Sequence, residues 1–449
     1  MKVTGIIMEC NPFHEGHAYL LRQARRLTQA DYIVVAMSGD FVQRGEPAVF
    51  DKYIRAEQIL RAGADLVLEL PLYAACGSAE YFAHAGIALL DKLGVVTDLC
   101  FGSESGDIDH LQQCARILSL AEDGGGGGLA AVYRDLLQDG LRKGMSFPAA
   151  RAAALQQAAV LEFNMAVNKD SIAENCSDIS PRTAPPGNNP FEKKEKPCPP
   201  LHFPSVPNDL LAVEYCRVLR TLDSSIRPHA IRRIQVPSAT QHRKDLLQNR
   251  SRPDFSSGVL PQITATQVPL FPLGPDDFSA QLLYALRMHE DELEEFADVS
   301  PDLALRIRKN LGSYRGFSDF CDLLKTRNLT RTRVSRCLLH ILLQIRKERL
   351  GALKSSEMAL YARPLALNRS AGPLLSAIIS KASLPFLSKI SAADVQLTSE
   401  ASSLLREEFR AEELYCLTLA GIAGSFPSAG SCSGGVPRAA QRKLPVKRT

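Results

Sequence analysis

The fold is decided by one stretch: Val3-Thr4-Gly5-Ile6-Ile7-Met8-Glu9-Cys10-Asn11-Pro12-Phe13-His14-Glu15-Gly16-His17. Its first part is a short apolar run with no helical spacing, which reads as a buried strand of a parallel sheet over Val3–Glu9. From His17 to Leu27 apolar residues recur at helical spacing, in a helix expected to start near Glu15 or Gly16. A strand that passes through an Asn-Pro turn into an amphipathic helix opens a βα unit, and its turn lies at the carboxyl end of the strand, where open α/β sheets bind ligands. Pro12 stiffens that turn, and Gly16 lets a ligand approach the backbone. The start of a helix offers free N–H groups and a partial positive charge, so the expected ligand is an anion.

His14 and His17 stand three residues apart. If the helix begins by His14, both imidazoles project on one face and can donate hydrogen bonds to the α- and β-phosphates of a nucleotide as charge builds there. They are the candidate catalytic residues. A metal site is not expected, because no third ligand stands nearby.

Outward from this stretch, Tyr32–Met37, Asp65–Leu70 and Thr97–Phe101 repeat the strand pattern, with helical spacing over Lys52–Ala62 and Ser78–Leu93. The expected fold class is α/β, a Rossmann-like doubly wound parallel sheet. Arg44, after the second strand, and Lys52, at a helix start, are candidates to neutralise phosphate or a carboxylate substrate. The glycines Gly124–Gly128 read as a surface loop, since no Lys-Ser/Thr follows them. Residues 168–206 turn to Pro, Asn, Lys and Glu and read as a disordered insertion. A helix from Asn208 and a strand over His229–Val236 complete the first domain, 1–265. Residues 276–425 are mainly helical, and 426–449 form a disordered tail.

The chain of 449 residues is 45% hydrophobic and 23% charged, with a formal net charge of +4. That composition excludes a wholly disordered protein and permits a nucleic-acid partner without requiring one. Eleven cysteines are scattered without a Cys-x-x-Cys pair, so reduced thiols are expected. No apolar run approaches the length of a membrane span and the leading apolar run is too short for a signal segment, which gives a cytoplasmic, membrane-free expectation. The densest basic stretch carries Lys325, Arg327, Arg331, Arg333 and Arg336 among Thr and Ser. Cations with hydroxyl neighbours suit RNA phosphates, and the same pattern also fits a solvated helix face.

These motifs resemble the bacterial tRNA(Met) cytidine acetate ligase family. The resemblance is carried by Met8–His17, by Met37-Ser38-Gly39-Asp40-Phe41-Val42-Gln43-Arg44-Gly45-Glu46-Pro47-Ala48 and by Leu68-Glu69-Leu70-Pro71. It extends through Phe101-Gly102-Ser103-Glu104, Gly144–Arg151, Asn208–Tyr215 and Leu324–Arg336. His-x-Gly-His alone is similar to the wider nucleotidyltransferase superfamily. The resemblance implies that ATP activates acetate as acetyl-adenylate, and that the acetyl group passes to the N4 amine of the wobble cytidine of elongator tRNA(Met). It implies ATP binding by Ile7, Met8, Glu9, Cys10, Asn11, Pro12, Phe13, His14, Glu15, Gly16, His17, Ala18, Tyr19 and Leu20, with Gly102, Asn208 and Arg233. It also implies a tRNA grip by the basic residues after Leu324, and magnesium is expected on the phosphates. Cys10 stands where the family commonly has Tyr, and the family's Ser-Ala-Thr-x-Ile-Arg segment finds no counterpart between His242 and Gln267. Two other readings stay open: a small-molecule nucleotidyltransferase or carboxylate–amine ligase of the same fold, and a tRNA-binding protein with impaired catalysis.

Overall fold

Strand β1 (Val3–Met8) is buried at every residue, as a run without alternation must be when helices cover both faces of a sheet. In the computed structural model the described residues are 1–123, 128–145, 149–162, 203–204, 206–250, 271–355, 358–388, 393–422 and 446–447. The other strands are β2 (Tyr32–Met37), the short hairpin β3 (Phe41–Val42) and β4 (Glu46–Pro47), β5 (Leu66–Glu69), β6 (Asp98–Ser103), β7 (Arg227–Arg232), β8 (Arg363–Asn368) and β9 (Val446–Lys447). The sheet runs β7-β6-β1-β2-β5-β8-β9. Strands β7 to β5 are parallel, and β8 pairs antiparallel with β5. The chain builds outward from β1 through β2 to β5 and then returns to lay β6 on the other side of β1. The strand order therefore reverses between β1 and β6, and in open α/β sheets ligands bind at the carboxyl ends of the strands at such a point.

Helices α1 (Glu15–Thr28), α2 (Lys52–Arg61), α3 (Leu72–Ala75) and α4 (Ala79–Lys92) connect these strands. Helix α4 lies close on β1 because glycine stands on both sides of the contact. A Cβ on Gly86 would come within 2.6 Å of Ile7 Cδ1, and one on Gly5 within 2.7 Å of Leu90 Cδ1. Helix α2 starts sharply because Asp51 Oδ1 accepts from the N–H groups of Tyr53 and Ile54, both at 2.9 Å.

Two compact units divide the chain, Asp107–Arg217 and the remainder. The smaller holds α5 (Ile108–Glu122), α6 (Gly128–Arg142), α7 (149–162) and most of α8 (Pro207–Thr221). Inside it Arg217 bonds Asp123 at 2.9 Å, Glu122 at 3.1 Å and Glu214 at 3.2 Å.

The larger unit adds α9 (Ala239–Gln248), α10 (Ser279–Met288), α11 (Pro301–Asn310), α12 (Phe317–Leu324), α13 (Arg331–Leu342), α14 (Lys347–Ser355), α15 (Gly372–Lys381), α16 (Ala393–Gln396) and α17 (Ser399–Ile422). Phe278, Phe296, Phe317 and Phe320 from this helical half share one core with Phe41, Leu72 and Tyr73. The division therefore differs from the expected 1–265 and 276–425 domains: the helical half is continuous with the sheet and even supplies strand β8. Helix α9 has no counterpart among the expected elements. Apart from 203–204, 206 and 446–447, the 168–206 insertion and the 426–449 tail lie outside the described residues. Val446 and Lys447 pair with β8, which the expectation of a disordered tail did not contain.

Buried charge joins β8 and α17 to the sheet. Lys52, 1% exposed, bonds Glu69 at 2.7 Å and Glu412 at 2.9 Å, with Asp40 at 3.7 Å. Arg363, also 1% exposed, meets Glu69 and Glu412, each at 2.9 Å.

Candidate active site

Helix α1 begins at Glu15, within the start expected near Glu15 or Gly16, so His14 stands just ahead of the first helical residue. His14 is its N-cap, extended at φ −146° and ψ 175°. The two imidazoles nevertheless meet, with ring centroids 4.0 Å apart. His14 Nδ1 accepts from the Gly16 N–H at 3.0 Å, and His17 Nδ1 accepts from the His14 N–H at 3.2 Å. This is a capping box in which two histidines replace the usual hydroxyl and carboxylate. Because both Nδ1 atoms are acceptors, the ring proton of each neutral imidazole resides on Nε2, and both rings keep an Nε2–H donor for a ligand.

Burial fixes the protonation state as well. The pKa of His14 is lowered to about 4, first by desolvation and then by His242 and Arg233. His17 is held well below the ordinary histidine value by burial, His14 and Arg233. Both rings are therefore uncharged donors at neutral pH, as the two caps also require. Gly16 is the residue that lets the His14 ring fold back, since a Cβ there would stand 2.8 Å from Cε1.

The loop before the helix is held from several directions. Cys10 adopts φ 50°. Asn11 is buried, and its Oδ1 accepts from the Val49 N–H at 2.8 Å. Buried Arg55 donates to the carbonyls of Phe50 and Glu9, both at 2.9 Å, of Ser38 at 3.1 Å, and of Gly39, tying together the carboxyl ends of β1 and β2. Ile7, Met8, Cys10, Pro12 and Phe13 are buried supports, while Ala18, Tyr19 and Leu20 lie half-buried along the first turns of α1. Glu15 is exposed and pairs with Arg22 at 2.6 Å.

Arg233 follows β7, and its N–H bonds the Ser103 carbonyl at 3.0 Å. Its side chain passes over Gly102, where a Cβ would stand 3.4 Å from Arg233 Cγ. Gly102, Arg233, His14 and His17 thus gather at the reversal of strand order. Asn208 opens α8 in the other compact unit.

Sequence reasoning missed the helix that returns to this loop. Ser238 caps α9 by accepting from Gln241 N–H. His242 lies 5.9 Å from His14, ring to ring. Arg243 Nη1 donates to the Asn11 carbonyl at 2.8 Å, and Nη2 to Thr240 Oγ1 at 3.2 Å. The segment sought beyond His242 is therefore present earlier, as Ser238-Ala239-Thr240-Gln241-His242-Arg243, with His in the place of Ile. Its Ser-Ala-Thr start was a visible signal.

Lys52 is a correction of the opposite kind. Its buried carboxylate partners remove it from any phosphate, whereas Arg44 is exposed. On the basic stretch, Lys325 pairs with Asp322 at 2.8 Å, Arg331 lies 3.6 Å from Glu46 and from Asp322, and Arg336 lies 3.7 Å from Asp298. Arg327 and Arg333 are exposed, with no ion pair among the described residues. No group of three or more His, Cys, Asp or Glu that could hold a metal occurs among the described residues.

A strand-order reversal with two histidine donors at the adjoining helix start is the arrangement of a nucleotidyltransferase-type fold. The family model described as HIGH Nucleotidyl Transferase matches residues 1–424. The tRNA(Met) cytidine acetate ligase of Acetivibrio thermocellus is 32% identical over 412 residues, 87% of this chain and 89% of that protein. The enzyme of the same name from Clostridium perfringens is 30% identical over 433 residues, covering 92% and 95%. The crystal structure of Thermotoga maritima TmcAL bound with alpha-thio ATP superposes with a TM-score of 0.79 at 30% identity over 100% of both chains. The chain belongs to the tRNA(Met) cytidine acetate ligase family, within the HIGH nucleotidyl transferases.

Proposed function

We propose that this chain uses ATP to activate acetate as acetyl-adenylate and transfers the acetyl group to the N4 amine of the wobble cytidine of elongator tRNA(Met). The observation that carries the reading is the reciprocal histidine cap, which leaves two neutral Nε2–H donors at the start of α1. ATP enters with magnesium as substrate, against Ile7–Leu20, Gly102 and Arg233. The acetate carboxylate attacks the α-phosphorus and pyrophosphate leaves, while His14 and His17 donate to oxygens whose charge grows in the transition state. Neutral donors suit this step because they bind the ground-state phosphates less tightly than ammonium groups would. The amine then attacks the mixed anhydride, and AMP departs.

The tRNA surface is assigned to Lys325, Arg327, Arg331, Arg333 and Arg336, with Arg327 and Arg333 the members open to phosphate. No helix of the described residues is long and apolar enough to cross a membrane. The substrates, ATP and tRNA, assign the reaction to the cytoplasm. The test supplies the protein with magnesium–ATP, labelled acetate and tRNA(Met) and follows label into RNA. Label enters RNA with the unaltered chain and fails to with His14→Ala; incorporation indifferent to that substitution refutes the site.

A further inference from the structure

The reaction leaves one requirement unassigned, an acceptor for the proton that the cytidine amine loses when it attacks the acetyl-adenylate. Glu9 stands at the carboxyl end of β1, next to the nucleotide loop. Its main chain is fixed, since its carbonyl accepts from Arg55 at 2.9 Å. Its side chain is only partly buried and makes no hydrogen bond or ion pair with the described residues. Most other acidic side chains around the sheet's carboxyl edge are committed: Asp40 bonds the Lys52 N–H, Asp51 caps α2, and Glu69 is paired with Lys52 and Arg363.

The charged groups facing the Glu9 carboxyl are Arg44 at the hairpin turn, Arg243 on α9, Glu46 on β4 and Arg55 on α2. Arg243 also holds the Asn11 carbonyl, so this side adjoins the nucleotide loop. The hairpin is seated on α13: Ser335 Oγ donates to the Gly45 carbonyl at 2.8 Å, and a Cβ on Gly45 would run into the Arg336 backbone. Arg331, of the same helix, reaches toward Glu46. The Glu9 carboxyl thus lies where the nucleotide loop and the basic helix that is assigned to tRNA come together.

We infer that Glu9 is a further catalytic residue, the general base for acetyl transfer to the cytidine N4 amine. The nitrogen lone pair forms the C–N bond at the acetyl carbon. The bond from that carbon to the phosphate oxygen breaks with its electron pair on AMP, and one N–H proton passes to the Glu9 carboxylate. Burial raises this carboxyl above its usual range against the lowering pull of Arg44, Arg243 and Arg55, which makes it a stronger base. Cys10 and Cys76, its thiol neighbours, are held protonated by burial and do not compete.

The inference rests on the acetate ligase reading, and two half-reactions separate the two. With the full chain, acetate-dependent pyrophosphate exchange reports adenylate formation, and single-turnover transfer of labelled acetyl to a tRNA(Met) transcript reports the second step. Glu9→Gln lowers transfer by about 100-fold or more, the usual weight of a general base, and lowers exchange at least tenfold less. Glu9→Asp recovers part of the loss. The rise of the transfer rate with pH through a carboxyl titration, present in the unaltered chain, disappears in Glu9→Gln. Equal losses in both half-reactions, or transfer within fivefold of the unaltered chain, overturn the assignment. An unaltered chain that forms adenylate and acetylates no RNA removes the acetate ligase reading, and the base with it.

Discussion

Gly16→Ala separates catalysis from stability, because the atoms nearest to an added methyl group belong to the His14 ring and to Val236. The new Cβ would lie 2.8 Å from His14 Cε1, 3.0 Å from Nδ1 and 3.3 Å from Val236 Cγ2. To restore ordinary contact the imidazole has to retreat by roughly 0.6 Å, and its Nε2–H leaves the line to the phosphate. A misplacement of about 1 Å can cost about 100-fold in rate, so a loss of roughly 30- to 100-fold is expected, about 2–2.7 kcal/mol of transition-state stabilisation. Weakening the Gly16 N–H bond to Nδ1 costs about 1 kcal/mol. Alanine in place of a helical glycine returns about 0.5–1 kcal/mol. The melting temperature should therefore move by only a few degrees. Acetate-dependent pyrophosphate exchange measures the rate, and kcat should fall while KM for ATP changes little, since the donors act mainly on charge developed in the transition state. A Gly16→Ala protein that exchanges at the unaltered rate refutes the assignment of the His14 ring.

The folded His14 pKa, lowered to about 4, lies below the unfolded value of about 6.5, so the unfolded chain binds more protons between them. His14 thus contributes stability in full above about pH 6.5 and loses it as pH falls through about 4, which urea titrations across that window read. His14→Gln, whose amide does not titrate, flattens that part of the profile. Lys52→Met leaves Asp40, Glu69 and Glu412 facing one another in the interior, and urea unfolding should show a loss of about 3–5 kcal/mol; adding Glu412→Gln should recover part of it. Arg327→Ala and Arg333→Ala should each weaken tRNA binding and reduce the dependence of log affinity on log salt by about one, and an unchanged slope removes those residues from the surface.

What could be read in advance was local. The apolar run of β1, the Asn-Pro turn and the helical spacing after His17 are consecutive in the chain, and they placed a helix start at the carboxyl end of β1. The helix start near Glu15 was legible as well, whereas the cap was not, because His14 replaces the hydroxyl that a capping pattern relies on. Strand β8 was not legible, since Arg-Pro-Leu-Ala-Leu-Asn is short, contains proline and becomes a strand only by finding β5. Lys52 misled for the same reason, because Glu412, far along the chain, supplies one of its partners. Arg243 was missed although Ser-Ala-Thr precedes it, as nothing local announces that its guanidinium reaches Asn11, 232 positions earlier.

The stitching of α17 into the sheet has a consequence for how the protein is made. Glu408 accepts from the Leu72 N–H, 336 positions apart in the chain. At roughly 5–20 residues per second, the sheet waits on the order of 20 to 70 s on the ribosome before that partner emerges. Throughout that interval Lys52 lacks Glu412, and the β5 edge that β8 will cover is open to pairing with other nascent chains. The β1 turn and α1 can take shape early in synthesis, but the stable form of the sheet has to wait for β8 and α17. A fragment ending at residue 265 would carry the whole His-x-Gly-His motif and still have an uncovered sheet edge, so it should be held by chaperones rather than accumulate as a folded domain.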